Sequence, residues 1–362
     1  MYLINLLKKI LPSKIKFYIK WNLNFLNFFY LNFKNHKTSQ NPNPKIKKVI
    51  DKLINNNLKS IKYLNNQKLE DYFNAQKNKI DFLILVKIIN GKLFVKPFFC
   101  KFHPRFYSLF INLFRNVENI DVFYGLFYLG DDFKKTLKYP IFVYSKNKFQ
   151  KNQILIPDSE AYGYNSELHA SLLLKSKKIK FENLLDKAFW RGATSGGDYS
   201  KKNWKNIHRA KLVSLSIKHP EIIDAKFSFL CQGAKINRNQ FTNDFISSHV
   251  SPHNSTKYKF LIDVDGNSCS WARLRWLMFS GSVILKHRSN NIQWYYPLLK
   301  RNYHFIEISL SKKQFLTHLE SCKKDNKKYI KIKNNSQKFA NDFFDKNVST
   351  YYLKKIISKV SI

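Results

Sequence analysis

The chain has 362 residues, enough for two domains of ordinary size, each with its own core. Its 64 Lys and Arg face 24 Asp and Glu, a formal charge of +40, but the surplus is spread along the chain among abundant Asn, Ile, Phe and Tyr, the set an AT-rich coding sequence produces. No zinc-finger spacing, RNA-binding aromatic signature or basic arm accompanies it, so no nucleic-acid partner is expected, while a weak attraction to anionic lipid headgroups is.

The four cysteines, Cys100, Cys231, Cys269 and Cys322, lie far apart without CxxC spacing, which argues against a zinc site or a disulfide framework and suits a reducing compartment. Residues 1–33 are aromatic and basic, but Lys8, Lys9, Lys14, Lys16 and Lys20 interrupt them before any stretch reaches membrane-spanning length. Two readings stay open there: an amphipathic segment lying on the cytoplasmic face of a membrane, or a first helix packing on its own domain.

Residues 35–50 read as a polar, proline-containing connection, followed by a helix to about residue 65. From Phe82 to Phe98 two β-rich arms flank Asn90-Gly91, a strong hairpin signal. A helix is expected over 104–116, then a hydrophobic strand from Asp121 to Leu129 ending at Gly130-Asp131-Asp132, then short strands at 141–144 and 154–156. Such spacing suggests an open α/β sheet with its loops near Asp131 and Pro157-Asp158 at strand ends, where such sheets place ligands.

The second half starts near Phe181. Lys187-Ala188-Phe189-Trp190 runs into a loop, Arg191-Gly192-Ala193-Thr194-Ser195-Gly196-Gly197, and a helix follows from Trp204 to Lys218 carrying His208 and Arg209. The run from Lys257 to Lys286 is the richest in signal: strand, polar loop, helix, glycine step, strand. Ser270 is placed to cap that helix and leave its N–H groups for an anion. Trp271, Leu274, Trp276, Leu277, Met278 and Phe279 occupy nearly its whole circumference, so the helix is buried and Arg273 and Arg275 need partners. A sugar-nucleotide diphosphate fits that need, and so does a structural carboxylate. Alternating helix and strand continue to about Ile308, and residues 313–362 read as helices.

Arg191-Gly192 with Thr194 and Ser195 behind it would let a guanidinium and backbone N–H groups approach phosphate oxygens, or forms an ordinary glycine turn. It lacks the P-loop lysine, which argues against ATP or GTP hydrolysis. Asp263-Val264-Asp265 has the D-x-D spacing of a divalent-metal site, yet it precedes a Gly/Ser loop and a buried arginine that would neutralise a diphosphate without metal. Gly281-Ser282 is a tight connection between helix and strand. Asp131 and Asp132 stand out as candidate bases because they follow a long apolar strand, although the same pair can simply start a turn.

Taken in order, Phe189-Trp190-Arg191-Gly192-Ala193-Thr194, Asn206-x-x-Arg209-x-x-Leu212, Pro220-x-x-x-Asp224-Ala225-x-Phe227, Lys257-Tyr258-Lys259-Phe260-Leu261-Ile262-Asp263, Ser270-Trp271-Ala272-Arg273-Leu274 and Gly281-Ser282-Val283 resemble glycosyltransferase family 90. That family contains capsule and lipopolysaccharide sugar transferases and the protein O-glucosyltransferases. Upstream, Leu129-Gly130-Asp131-Asp132, Pro140-Ile141-Phe142 and Ile154-Leu155-Ile156-Pro157-Asp158 resemble its acceptor-side domain.

The resemblance implies an α/β fold of GT-B type, with two Rossmann-like domains facing a cleft. An acceptor-side domain would take residues 1–180, a UDP-sugar-binding domain 181–325, and C-terminal helices over 326–362 would pack back toward the first. It implies inverting transfer of a hexose or pentose from a UDP-sugar, with neither metal nor other cofactor. Arg273, Ser268 and Ser270 would hold the donor diphosphate, with Arg191, Gly192, Thr194, Arg209, Gly281 and Ser282 around it. Asp131 would be the base, Asp132 the second choice.

With neither a clear signal peptide nor paired cysteines, the chain fits a cytoplasmic enzyme acting on a lipid-linked or lipopolysaccharide glycan near the inner membrane face. The competing expectations are a basic nucleic-acid-binding protein and a catalytically inactive family member serving as a scaffold.

Overall fold

The computed structural model describes residues 41–59, 61–63, 66–96, 120–158, 161, 165–236 and 238–361. The basic N-terminal segment and the helix expected over 104–116 lie outside the described residues. The described residues from Pro42 onward belong to one compact unit.

Helix α1 (Pro44–Leu58) starts where proline's fixed φ suits a first turn, and the Asn43 side chain accepts from the Lys45 N–H at 2.9 Å. The polar connection read over 35–50 therefore ends at Asn43, and the helix stops short of residue 65. Helix α2 (Gln67–Gln76) is capped by Asn66. Strands β1 (Leu83–Ile89) and β2 (Lys92–Lys96) form the expected hairpin, with Asn90 at φ 50° and Gly91 at φ 71°, both left-handed as a two-residue hairpin turn requires.

Strand β3 (Val122–Tyr128) pairs antiparallel with β1, and β4 (Ile141–Val143) and β6 (Gln153–Leu155) extend the sheet in parallel to give the order β2-β1-β3-β4-β6. The short β5 (Lys146–Asn147) leaves this sheet. The first sheet is thus mixed, which corrects the expectation of a parallel Rossmann-like sheet. A two-residue turn at Asn90-Gly91 can join only antiparallel neighbours, because parallel ones need a crossover.

After helix α3 (Ser166–Lys178) come β7 (Leu185–Ala193), α4 (His208–Lys218), β8 (Ile223–Phe229), β9 (Tyr258–Asp263), α5 (Ala272–Phe279), β10 (Val283–His287), β11 (Asn291–Ile292) and β12 (Ile306–Ile308). Strands β7 to β10 and β12 form a second sheet, all parallel, in the order β12-β10-β9-β7-β8. All six residues of β9 are buried, as an inner parallel strand requires. Arg191 to Ala193, expected in a loop, continue β7.

Helices α6 (Lys312–Lys324), α7 (Lys327–Phe343) and α8 (Lys346–Ser361) close the chain. Helix α8 buries Val348, Tyr352, Leu353, Ile356, Ile357 and Val360 along one face, against α1 and β3. The Tyr352 hydroxyl donates to the Leu155 carbonyl at 3.0 Å and accepts from Asn57 at 3.0 Å. One hydrophobic cluster runs from Ile50 to Val360 and includes Leu126 and Phe142 of the mixed sheet with Leu261 and Ile284 of the parallel one. A second, built on Trp190, Phe227, Phe260 and Leu285, belongs to the parallel sheet. The ribbon β5–β11 joins the segments that follow β4 and β10. No helix among the described residues is long and apolar enough to cross a membrane.

Glu70 of α2 is buried and holds Lys87 of β1 at 2.7 Å and Lys96 of β2 at 2.6 Å, and these two ammonium groups bring its carboxyl from 4.5 down to about 2. A carboxyl depressed by folding stabilises above its unfolded value and loses that contribution as pH falls through its folded one. Stability should therefore decline between pH 4.5 and about 2. Glu70→Gln should lower stability at neutral pH and flatten this acid limb, read from urea midpoints across a pH series.

Candidate functional site

In the parallel sheet the chain runs from β7 outward to β8, then returns to lay β9 on the other side of β7. That reversal opens a crevice beyond the carboxyl ends of β7 and β9, the place where open α/β sheets bind ligands. The end of β7 brings Arg191 to Thr194 there, the end of β9 brings Asp263 and the loop to Ser270, and α4 and α5 bring Arg209 and Arg273.

Arg209 is 9% exposed and, among the described residues, bonds only to neutral groups. Its Nε donates to the Asp265 carbonyl at 3.0 Å, its Nη1 to the Ala193 carbonyl at 3.0 Å and to Ser195 Oγ at 2.7 Å, and its Nη2 to the Val264 carbonyl at 3.4 Å. It thereby braces the β7 and β9 loops against each other. Arg273 donates to the Arg191 carbonyl and lies 5.9 Å from the Trp276 ring.

Both guanidinium groups sit 5.6 Å from the Trp190 ring, and neither has a carboxylate partner among the described residues. Burial lowers the pKa of each; for Arg273, with Arg209 adding its repulsion and Asp263 opposing, it falls to about 10. Two cations so placed favour the approach of an anion. Beside Arg273 lies a cavity of about 110 Å³ lined by Phe189, Arg191, Gly192, Leu261 and Trp276, among others.

Other residues named from the sequence stand differently. Arg191 is held by Asp224, at 2.7 Å from its Oδ1 and 3.0 Å from its carbonyl, and Asp224 also accepts from the Tyr258 hydroxyl at 2.9 Å. Arg191 therefore lines the cavity as one half of a structural pair. The Thr194 hydroxyl donates to the Cys231 carbonyl at 2.8 Å and accepts from the Cys231 N–H at 2.7 Å, which fastens two loops.

Ser270 does not cap α5. The residue before the helix is Trp271, at φ 52°, with no capping side chain. Gly281 and Ser282 lie at the amino end of β10, across the sheet from the crevice, where the Ser282 hydroxyl donates to the Tyr258 carbonyl at 2.8 Å. Asp263 and Asp265 face Lys286, at 2.6 and 4.0 Å. Among the described residues no group of three or more His, Cys, Asp or Glu is arranged to hold a metal, and Cys231, Cys269 and Cys322 are free thiols.

Asp131 follows β3 of the mixed sheet, yet it stands close to the crevice. Its carbonyl accepts from Ser145 Oγ at 3.1 Å, and Ser145 Oγ in turn meets Ser268 Oγ, both serines being buried. Tyr144 packs edge-on to Trp271 with centroids 6.4 Å apart. The Asp132 carboxylate lies 3.4 Å from Lys134 Nζ. Asp158, expected in a ligand loop, is buried and paired to Arg275 at 3.1 Å. Sequence reasoning missed Ser145 and Lys286. Nothing in the local pattern marks Ser145, whereas Lys286 announces itself as a charged residue in an apolar strand.

Comparison with known proteins adds the following. The sequence profile of Glycosyl transferase family 90 matches residues 54–360. Protein O-glucosyltransferase 2 of Danio rerio is 27% identical over 175 residues, 48% of this chain and 32% of that protein. Uncharacterized protein 035R of Invertebrate iridescent virus 3 is 21% identical over 183 residues, 48% of this chain and 16% of that protein. The match thus spans about a third or less of these relatives' length. Among solved structures, Anabaena Alr3699/HepE in complex with UDP superposes with a TM-score of 0.37 at 13% identity over 58% of each chain.

Gly281 has φ +79°, and a Cβ built there would lie 2.5 Å from Ser176 Cβ on α3. Gly281→Ala should cost roughly 2–4 kcal/mol in chemical denaturation, from backbone strain plus the forced shift of α3. A loss below 1 kcal/mol, a small fraction of that strain and clash, would contradict this placement.

Proposed function

The chain belongs to glycosyl transferase family 90, and we propose that it moves a hexose or pentose from a UDP-sugar to a hydroxyl of a glycan acceptor, with inversion and without metal. The observation that carries this reading is the pair of buried guanidinium groups, Arg273 and Arg209, both against Trp190 at the β7–β9 crevice and without a carboxylate partner among the described residues. A nucleoside diphosphate supplies an anion for them. In this reading Arg273 takes the diphosphate with Ser268, Ser270 and Gly192 around it, and Arg209 adds charge while bracing the loops. Arg191, tied to Asp224, and Thr194, tied to Cys231, shape the pocket. Gly281 and Ser282 drop out of the site.

Inversion is one displacement. The acceptor oxygen attacks the anomeric carbon opposite the UDP, a base takes its proton as the bond forms, and the bonding pair leaves on the β-phosphate oxygen. Asp131 is the base in this proposal, because the Ser145–Ser268 link brings its segment to the donor loop. Arg273 stabilises the charge that develops on the departing UDP. Lys286 holds one oxygen of the Asp263 carboxylate and approaches Asp265, which supports the metal-free form.

On the same reading the mixed and parallel sheets are the acceptor-side and donor-side halves of a GT-B cleft, meeting near residue 181, with the helices from 326 onward returning to the first. The contacts of α8 with α1 and β3 support that arrangement. The acceptor is taken to be a lipid-linked or lipopolysaccharide glycan at the cytoplasmic membrane face, and the lysine surplus supports a peripheral hold on anionic lipid.

A thermal-shift screen of the full chain against UDP-, GDP- and CMP-sugars tests this, since a ligand bound only by the folded state raises its melting temperature. UDP-sugars should raise it; Arg273→Ala should abolish that shift, and Asp131→Asn should keep the shift but lose transfer. No shift with any UDP-sugar, or wild-type transfer by both variants, overturns the proposal. A UDP shift without transfer to any glycan would point to an inactive family member. Steeply salt-dependent nucleic-acid binding without a UDP shift would point to the charge-based alternative.

A further inference from the structure

Two carboxylates, Asp263 at the end of β9 and Asp265 just beyond it, lie within the same buried cluster as Arg209 and Arg273. Acids so close to guanidinium groups would ordinarily pair with them, and a site neutralised in that way would have no call for an anion. Here they are held elsewhere. Asp263 is fully buried, and its Oδ2 lies 2.6 Å from Nζ of Lys286, its in-register neighbour on β10. Asp265 accepts from Ser289 Oγ and, at 3.1 Å, from Asn291 Nδ2, and lies 4.0 Å from the same ammonium. Arg209 touches only the backbone carbonyl of Asp265.

Three cations, Arg209, Arg273 and Lys286, therefore face two carboxylates, and the surplus positive charge is present only because of Lys286. Lys286 does not line the cavity beside Arg273. We propose that Lys286 is a positioning residue of the donor site: by drawing Asp263 and Asp265 toward β10, it keeps Arg273 and Arg209 free for a nucleoside diphosphate that it never touches. This rests on the UDP-sugar reading above.

The charge states of Lys286 and Asp263 agree with the geometry, while burial outweighs Lys286 at Asp265 and raises its pKa. Burial alone would lower the pKa of Lys286, but Asp263 and then Asp265 outweigh it and hold the group charged. Burial likewise pushes Asp263 up, and Lys286, with Ser270 and Arg273 adding, more than reverses it.

Titration calorimetry of UDP into the full-length wild type, Lys286→Met and the double variant Lys286→Met/Asp263→Asn tests the inference. Lys286→Met frees the Asp263 carboxylate to pair with Arg273 and should weaken UDP binding roughly ten- to hundredfold. The double variant removes one charge of each sign, restores the surplus and should recover wild-type affinity to within about threefold.

A purely structural lysine predicts that Lys286→Met lowers stability and leaves the UDP affinity of the folded protein unchanged. Lys286→Met binding like wild type, or a double variant as weak as the single one, overturns the proposal. If Lys286→Met does not fold, by circular dichroism, the double variant decides: wild-type affinity supports the charge argument and a tenfold loss or more refutes it. A wild type that binds no UDP overturns the donor reading itself and this proposal with it; wild-type binding matched by Lys286→Met overturns this proposal alone.

Discussion

The ion pair between Arg275 and Asp158 sets the position of much else in the molecule. Asp158 follows β6 of the mixed sheet, and Arg275 stands on α5 of the parallel one; their side chains are 2% and 1% exposed, and the atoms lie 3.1 Å apart. The second Asp158 oxygen accepts from Gln293 at 3.1 Å, and the guanidinium is covered by Tyr295 and by Phe344, just beyond α7, with ring centroids at 5.3 and 5.0 Å. Removing either partner would strand a buried charge at a cost of about 3–5 kcal/mol, so the pair dictates how α5 is rotated. Arg273, two residues earlier and so roughly 200° around the helix, then faces the β7–β9 crevice. One helix thus carries two arginines with opposite duties. Arg275 joins the two sheets, and Arg273 is left for a ligand.

Much of this was legible in the sequence because it depends on local pattern. The Asn90-Gly91 hairpin, the buried run of β9 and the encircled helix behind it are written into neighbouring residues, and the structure has them within a few positions of where they were read. What was illegible depends on long-range pairing. Whether β3 joins β1 antiparallel is decided far from either strand's own composition. Arg191 could not be assigned to Asp224 until β8 was known to lie beside β7, and Gly281 could not be sent to the amino edge until the direction of β10 was known. The cap read at Ser270 failed for another reason: Trp271 adopts a positive φ that no residue-type rule favours, and its ring packs against Tyr144 from the mixed sheet. Tertiary contact there overrides local preference.

Electrostatics ties these pieces together. A chain with +40 formal charge has little need to bury a carboxylate for solubility, yet Asp158, Asp224 and Asp263 each take up one basic side chain near the crevice, namely Arg275, Arg191 and Lys286. The arginines left over, Arg209 and Arg273, touch the same indole, where low polarity magnifies the attraction of any anion that arrives. Selective neutralisation, more than the abundance of lysine, gives the crevice its sign.

The hydroxyl chain at the mouth of the crevice extends this logic to the proposed base. A serine has one proton to donate, and Ser145 gives its proton to the Asp131 carbonyl, so the contact between Ser145 and Ser268 must use the proton of Ser268. That hydroxyl is therefore committed to the mixed sheet. In the proposed transfer, a diphosphate oxygen is the stronger acceptor and competes for the same proton. Donor binding would then change the hold on the segment carrying Asp131, which couples the occupied donor site to the base by a single hydrogen atom and requires no contact between UDP and Asp131.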